Sequence, residues 1–204
     1  MKIKICGIFR EQDIDYINEA RPDFCGFVFA ESKRQVSPAQ AADLRRRLAE
    51  GIAAVGVFVN APIEDIIALY RGGAIDIAQL HGGEDEEYIA RLKKASGDTP
   101  IPVIQAVKCD NFSLLTARFS PLADYYLFDS GSGSGETFDW GLLSSLNIDK
   151  PWFLAGGIDT DNIKWAMAVN PYGIDISSGA ETDGVKDREK ILPLTAAVRK
   201  GNTL

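Results

Sequence analysis

Residues 2–29, KIKICGIFREQDIDYINEARPDFCGFVF, decide the fold. Lys2–Cys6 alternates charged and β-branched residues and reads as a strand. Glu11–Ala20 carries apolar residues at helical spacing, and Phe24–Phe29 returns to a short apolar run bounded by Pro22 and Asp23. Two strands joined through a helix make a parallel βαβ unit, and the turn after the first strand separates its possible frames. A doubly wound, dinucleotide-binding sheet needs a glycine-rich GxGxxG turn there, and Cys6-Gly7-Ile8 does not supply it.

The unit repeats outward from this stretch. Pro38–Glu50 reads as a helix with Ser37 as N-cap and Pro38 in the first turn. Ala53–Val59 and Ile63–Arg71, Ile75–Leu80 and Glu84–Ala95, and Pro102–Val107 with a weak helix near Asn111–Phe119 continue the alternation. Tyr125–Phe128 precedes a short helix after Trp140; Trp152–Ala155 with Asp159–Val169, and Gly173–Ser177 with Asp187–Lys200, bring the count to eight units. The chain has 204 residues, close to the ~200 that is the lower bound for eight βα pairs closed into a barrel. The expected fold is therefore a single (β/α)8 TIM barrel of eight parallel strands spanning residues 1–204. No linker, low-complexity tract or charge block marks a second domain.

Composition bounds the function. Twenty-two basic against twenty-nine acidic residues leave a formal charge of −7, which disfavours broad binding to nucleic acid or anionic membrane. The longest apolar run, Ile52 to Val59, is far too short to span a bilayer. Charges in Met1–Cys6 occupy the place where a signal peptide needs its apolar stretch. Three cysteines without a CxxC suggest neither a disulfide frame nor a zinc knuckle. A cytoplasmic protein without a metal is expected.

In a barrel of this kind, chemistry sits where strands end and βα-loops begin. Ala155-Gly156-Gly157-Ile158 closes the seventh strand and Ser177-Ser178-Gly179 the eighth. Glycine turns there suit a phosphate held by backbone N–H groups, although each alone could be an ordinary tight turn. Cys6 ends strand one two residues after Lys4, so both point into the barrel if Ile3 and Ile5 pack outward. Lys4 is expected to be buried and paired with a carboxylate, Asp175 being one choice. Asp129 follows an apolar strand into the cavity, where desolvation favours its protonated form; the alternative is a turn cap. Arg34, in Glu31-Ser32-Lys33-Arg34, has the fork for a planar carboxylate, but a loop basic pair is commonly solvated surface. His81, the single histidine, has no Ser or Asp in an order that would make a triad, and reads as a binding or packing residue. Cys25 and Cys109 read as structural. The Gly131-Ser132-Gly133-Ser134-Gly135 loop could cover a ligand or merely connect.

With these residues in hand, the chain resembles the phosphoribosylanthranilate isomerase family of tryptophan biosynthesis. The likeness is carried in order by Lys4-Ile5-Cys6-Gly7-Ile8, Gly26-Phe27-Val28-Phe29, Ser32-Lys33-Arg34 with Ser37-Pro38, Val55–Asn60 and Gln79-Leu80-His81-Gly82. Phe128-Asp129, Phe138-Asp139-Trp140, Ala155–Ile158, Asp175–Gly179 and Gly184-Val185-Lys186-Asp187 follow. The resemblance implies an Amadori rearrangement without a cofactor, with Asp129 as general acid and Cys6 as general base. It implies that Arg34 holds the anthranilate carboxylate, and that Gln79, His81, Gly156, Gly157, Ser178 and Gly179 contact the phosphorylated sugar-anthranilate substrate. The expected assembly is a monomer or a homodimer. Phe9 stands where the family usually has Thr, Glu136 where it often has Lys, and the segment before Ser32 is shortened. The alternatives are a related aminoaldose isomerase of histidine synthesis, whose family uses a pair of aspartates, and a phosphate-binding barrel without catalysis.

Overall fold

The computed structural model describes residues 1–109, 119–129, 140, 143 and 148–201. Eight parallel strands close into a barrel in chain order: β1 Lys2–Cys6, β2 Phe24–Val28, β3 Ala53–Phe58, β4 Ile77–Leu80, β5 Val103–Lys108, β6 Tyr125–Asp129, β7 Trp152–Ala155 and β8 Gly173–Ile176. Helices α1 Glu11–Ala20, α2 Pro38–Arg47, α3 Ile63–Arg71, α4 Glu86–Ser96, α5 Ile163–Ala168 and α6 Arg188–Lys200 lie between or after them. A turn of 3-10 helix, Ser178–Ala180, and a two-stranded ribbon, β9 Glu181–Thr182 with β10 Val185–Lys186, separate β8 from α6.

The period-two pattern of the strands sets two cores. Ile3 and Ile5 of β1 join Ile14 and Ile17 of α1 and Ile191, Leu194 and Val198 of α6 in the layer between sheet and helices. Phe24, Val55, Ile77, Ile104, Leu127 and Phe153 fill the barrel interior. One residue from each of several strands stacks there in layers, as barrel closure requires. Lys4 shares that interior with no exposed surface. Its neighbours in register are Phe24 on β2 and Asp175 on β8.

Element ends depart from the sequence reading for local reasons. Helix α4 starts at Glu86, not Glu84. Asp85 caps it through the Tyr88 N–H at 2.8 Å, while the Glu84 carboxylate turns back to accept from the N–H groups of Asn60 at 2.6 Å and Gly82 at 2.8 Å. Helix α2 stops at Arg47, because Leu48 is extended. Strand β4 begins at Ile77, since the Asp76 carboxylate is taken up with the Ala54 N–H at 2.7 Å. Helix α5 is cut to Ile163–Ala168 because Asp159 accepts from the N–H groups of Asp161 and Asn162, forming a turn ahead of it. Strand β6 runs one residue beyond expectation, so Asp129 pairs in register with Lys108 and belongs to the sheet. The glycine loop 131–135, Glu136, Phe138-Asp139, the helix after Trp140 and all but Phe119 of the weak fifth helix lie outside the described residues. No helix among the described residues is long and apolar enough to cross a membrane.

Candidate active site

A chamber of about 230 Å³ opens at the C-terminal ends of the strands. Its wall includes Cys6 from β1, Gln79 and His81 from β4 and its loop, Asp129 from β6, Gly156 and Gly157 after β7, and Asp175, Ser177 and Ser178 from β8 and its loop. All of these but Asp175 stand at strand ends that the βα alternation points to, and closure gathers them from strands far apart in sequence.

Cys6 is nearly buried, and its thiol packs against Gly26 of β2 so closely that a Cβ there would lie 2.7 Å from Sγ. The thiol stands one inward step above Lys4, whose ammonium donates to both oxygens of Asp175 at 3.0 Å. Burial works against the charged form of Lys4, but Asp175 and Cys6 beside it hold its pKa above the ordinary lysine value. Burial pushes the Cys6 thiol up, against the pull of the Lys4 ammonium. The expected Lys4–Asp175 pair is therefore present, and Asp175 adds a second carboxylate to a chamber for which the sequence suggested one.

A second chain of contacts crosses from β4 to β6. The Gln79 amide nitrogen donates to His81 Nδ1 at 3.1 Å, and His81 Nε2 lies 3.2 Å from Asp129 Oδ2. His81 and Asp129 are 48 positions apart, and only closure of the barrel brings them together. The other end of the amide, Gln79 Oε1, is buried without a hydrogen-bond partner.

Arg34 is not solvated surface. Its Nε and Nη2 donate to the two oxygens of Glu181, each at 2.6 Å. The carboxylate that this edge of the fork grips is thus a residue of the protein, Glu181. Lys186 also donates to Glu181 and, at 3.0 Å, to the carbonyl of Ser177. Burial alone would raise the Glu181 carboxyl, but the hydrogen bonds from Arg34 and Lys186 outweigh it and hold it below the ordinary range. Burial lowers Lys186. Two cations against one anion leave the cluster net positive. Sequence reading quoted Lys186 in a motif without giving it a task, and it passed over Glu181. A buried charge on a two-residue ribbon has no periodicity to reveal it.

The glycine turns after β7 and β8 meet. Gly156 and Gly157 both have positive φ, at 97° and 62°. A Cβ on Gly179 would come within 1.9 Å of the Ile158 carbonyl oxygen, so the turns after β7 and β8 touch through their backbones. Beside them a depression of about 410 Å³ is lined by Gly157, Asp159, Asp161, Ser178, Gly179 and Lys190, among others. Phe9 lies apart from this chamber, in the cap of α1. Its N–H donates to Asp13 at 3.1 Å and its carbonyl accepts from Gln40 at 2.6 Å. Cys25 and Cys109 are buried, as a structural reading requires. Among the described residues no group of three or more His, Cys, Asp and Glu could hold a metal ion.

The family profile described as N-(5'phosphoribosyl)anthranilate (PRA) isomerase matches residues 3–196. The chain belongs to this family. Among its relatives, the N-(5'-phosphoribosyl)anthranilate isomerase of Endomicrobium trichonymphae is 46% identical over 206 residues, covering 97% of this chain and 98% of that protein. The crystal structure of phosphoribosyl anthranilate isomerase from Thermotoga maritima superposes with a TM-score of 0.84 at 32% identity, covering 100% of both chains. A phosphoribosyl anthranilate isomerase solved in complex with reduced 1-(o-carboxyphenylamino)-1-deoxyribulose 5-phosphate superposes at 0.82 with 31% identity, covering 98% of this chain and 99% of that one. The isomerase family thus accounts for the barrel over nearly its whole length. The motifs that carried the resemblance contribute Cys6, Gln79, His81, Asp129, Gly156, Gly157 and Ser178 to the wall of one chamber.

Proposed function

We propose that the chain is a cytoplasmic isomerase that converts N-(5-phosphoribosyl)anthranilate to 1-(2-carboxyphenylamino)-1-deoxyribulose 5-phosphate in tryptophan biosynthesis. The observation that carries this reading is that Cys6 and Asp129 line one chamber of a family barrel, with the paired glycine turns beside them. The chemistry calls for Cys6 as a thiolate, a form that burial resists and the Lys4 ammonium favours, and for Asp129 as a carboxylic acid. Asp129 gives its proton to the ring oxygen as the bond from that oxygen to C1 breaks, and the anthranilate nitrogen supplies the electron pair that makes the iminium. Cys6 then takes the proton from C2. The released pair forms a double bond between C1 and C2, and the iminium nitrogen becomes an amine. The resulting enol loses its hydroxyl proton and gains one at C1, which gives the ketone. The iminium is the electron sink, so the chemistry requires one positioned acid and one positioned base.

The remote groups orient the sugar. Backbone N–H groups at Gly156, Gly157, Ser178 and Gly179 suit the phosphate, with Lys190 as the cation near that turn. Arg34 retains the edge formed by Nη1 and the second N–H of Nη2 for the anthranilate carboxylate, while Glu181 occupies its other edge. A continuous fluorescence assay on phosphoribosylanthranilate made in situ tests the reading. Wild type should turn over, and Cys6→Ala and Asp129→Asn should each lose at least the ~10²-fold expected of a general base or acid. An inactive wild type would leave a phosphate-binding barrel as the better description.

A further inference from the structure

Among the described residues, two buried side-chain polar atoms have no hydrogen-bond partner, Thr195 Oγ1 and Gln79 Oε1, and only Gln79 lines the chamber. The residue is 1% exposed, its side chain lines the chamber that holds Cys6 and Asp129, and its oxygen has no hydrogen-bond partner. An acceptor buried in this way is costly unless something supplies a donor. The other end of the same amide is paired with His81 Nδ1, so turning the group over would only exchange which end is left unpaired.

Resting on the isomerase reading, we infer that Gln79 is a specificity-determining residue. Its Oε1 accepts a hydrogen bond from the 3-hydroxyl of the substrate ribose, and its Nε2 transmits that seating through His81 to Asp129. The donor follows by elimination. The phosphate and carboxylate of the substrate only accept, and the anthranilate nitrogen becomes the iminium and lies next to its own ortho carboxylate. Of the two ribose hydroxyls, the one on C2 surrenders its proton when the enol becomes a ketone. That carbon faces Cys6 on β1, three strands from β4 around the barrel. The hydroxyl on C4 exists only after Asp129 has opened the ring, whereas the 3-hydroxyl stays a hydroxyl from substrate to product, which suits an acceptor with no proton to manage.

The other half of the inference concerns the acid. Donation from Gln79 Nε2 makes His81 Nδ1 an acceptor, so the imidazole hydrogen sits on Nε2 and is aimed at Asp129 Oδ2. With Oδ2 accepting, the acidic proton of Asp129 resides on Oδ1. Gln79 and His81 therefore act as positioning residues for the group that opens the ring, and the amide couples recognition of the sugar to orientation of the acid.

The test compares kcat/KM for phosphoribosylanthranilate and for its 3-deoxyribosyl counterpart. Wild type should disfavour the deoxy substrate by about 10-fold to 100-fold, as a site built to bind a hydroxyl does when the hydroxyl is missing. Gln79→Met should lose activity on the parent substrate and treat the two substrates nearly alike. Gln79→Glu retains an acceptor for the hydroxyl but not the amide donor to His81, so it should keep the discrimination while kcat falls. Wild type that turns over both substrates equally would overturn the inference and leave the isomerase reading intact. So would a Met variant that still discriminates, or a Glu variant that does not. Thermal unfolding of each variant separates these outcomes from misfolding.

Discussion

Lys4 and Asp175 are paired in register on β1 and β8, and the lysine ammonium donates to both carboxylate oxygens at 3.0 Å with no surface exposed to solvent. The pair closes the floor of the chamber directly beneath the Cys6 thiol, on the strand junction where the first and last β-strands complete the barrel. Breaking such a pair leaves one buried charge without compensation, whereas neutralising both partners does not.

Lys4→Met should therefore cost about 3–5 kcal/mol of stability. The double variant Lys4→Met with Asp175→Asn should recover most of that loss. Urea unfolding of the two single variants and the double variant reads the coupling directly, and additive losses would contradict a paired role.

Gly26→Ala should impair catalysis more than stability. The new methyl would lie 2.7 Å from Cys6 Sγ and 3.1 Å from Cys6 Cα, well inside contact distance, so the thiol must move from its position. A shift of this kind at a reacting group costs on the order of 10²-fold in rate. Steady-state kcat, measured beside the melting temperature, checks this; unchanged kcat would show that the thiol has slack.

Glu181→Gln should weaken the hold on Arg34 and so raise KM for the anthranilate substrate. The rise should shrink for an analogue built on aniline, which has no carboxylate for Arg34 to meet. The pH sign follows from the carboxyl being held below its ordinary value. The stability it confers is present above the unfolded-state pKa near 4.5 and is lost as pH falls through the lower folded value. The Gln variant should accordingly lose stability less steeply below about pH 4.5 than wild type.

Burial pushes the Cys25 thiol up to about 12 from an ordinary value of 9.0. A raised folded pKa confers stability that is complete below the unfolded value and drains away as pH rises toward the folded one. Between those two values wild type should lose an extra ~1.4 kcal/mol per pH unit relative to Cys25→Ala. The stability gap between the two proteins should thus narrow on going from pH 7 to pH 11, as denaturant titrations at each pH would reveal.

The barrel was legible because parallel strands buried on both faces leave an unmistakable alternation with helices, and because Cys6-Gly7-Ile8 ruled out the competing turn. Cys6, Asp129 and the glycine turns were legible for the same reason, since each stands at the end of a strand. The partnership of His81 with Asp129 was not, because it depends on which strands face each other after closure. Nor was the occupation of Arg34 by Glu181, which joins the loop after β2 to a ribbon 147 positions later. Helix ends such as that of α4 were misjudged where a carboxylate, here Glu84, satisfies a neighbouring loop and no longer caps its own helix.

The near-contact of Gly179 with the Ile158 carbonyl limits how this barrel can be recombined. Two loops whose main chains touch cannot be exchanged singly between homologues, because a donor loop brings its own backbone path and meets the unexchanged one without a side chain to absorb the mismatch. Chimeras with a crossover between β7 and β8 should fail where those that carry both loops together succeed. The last quarter of the chain thus behaves as one heritable cassette.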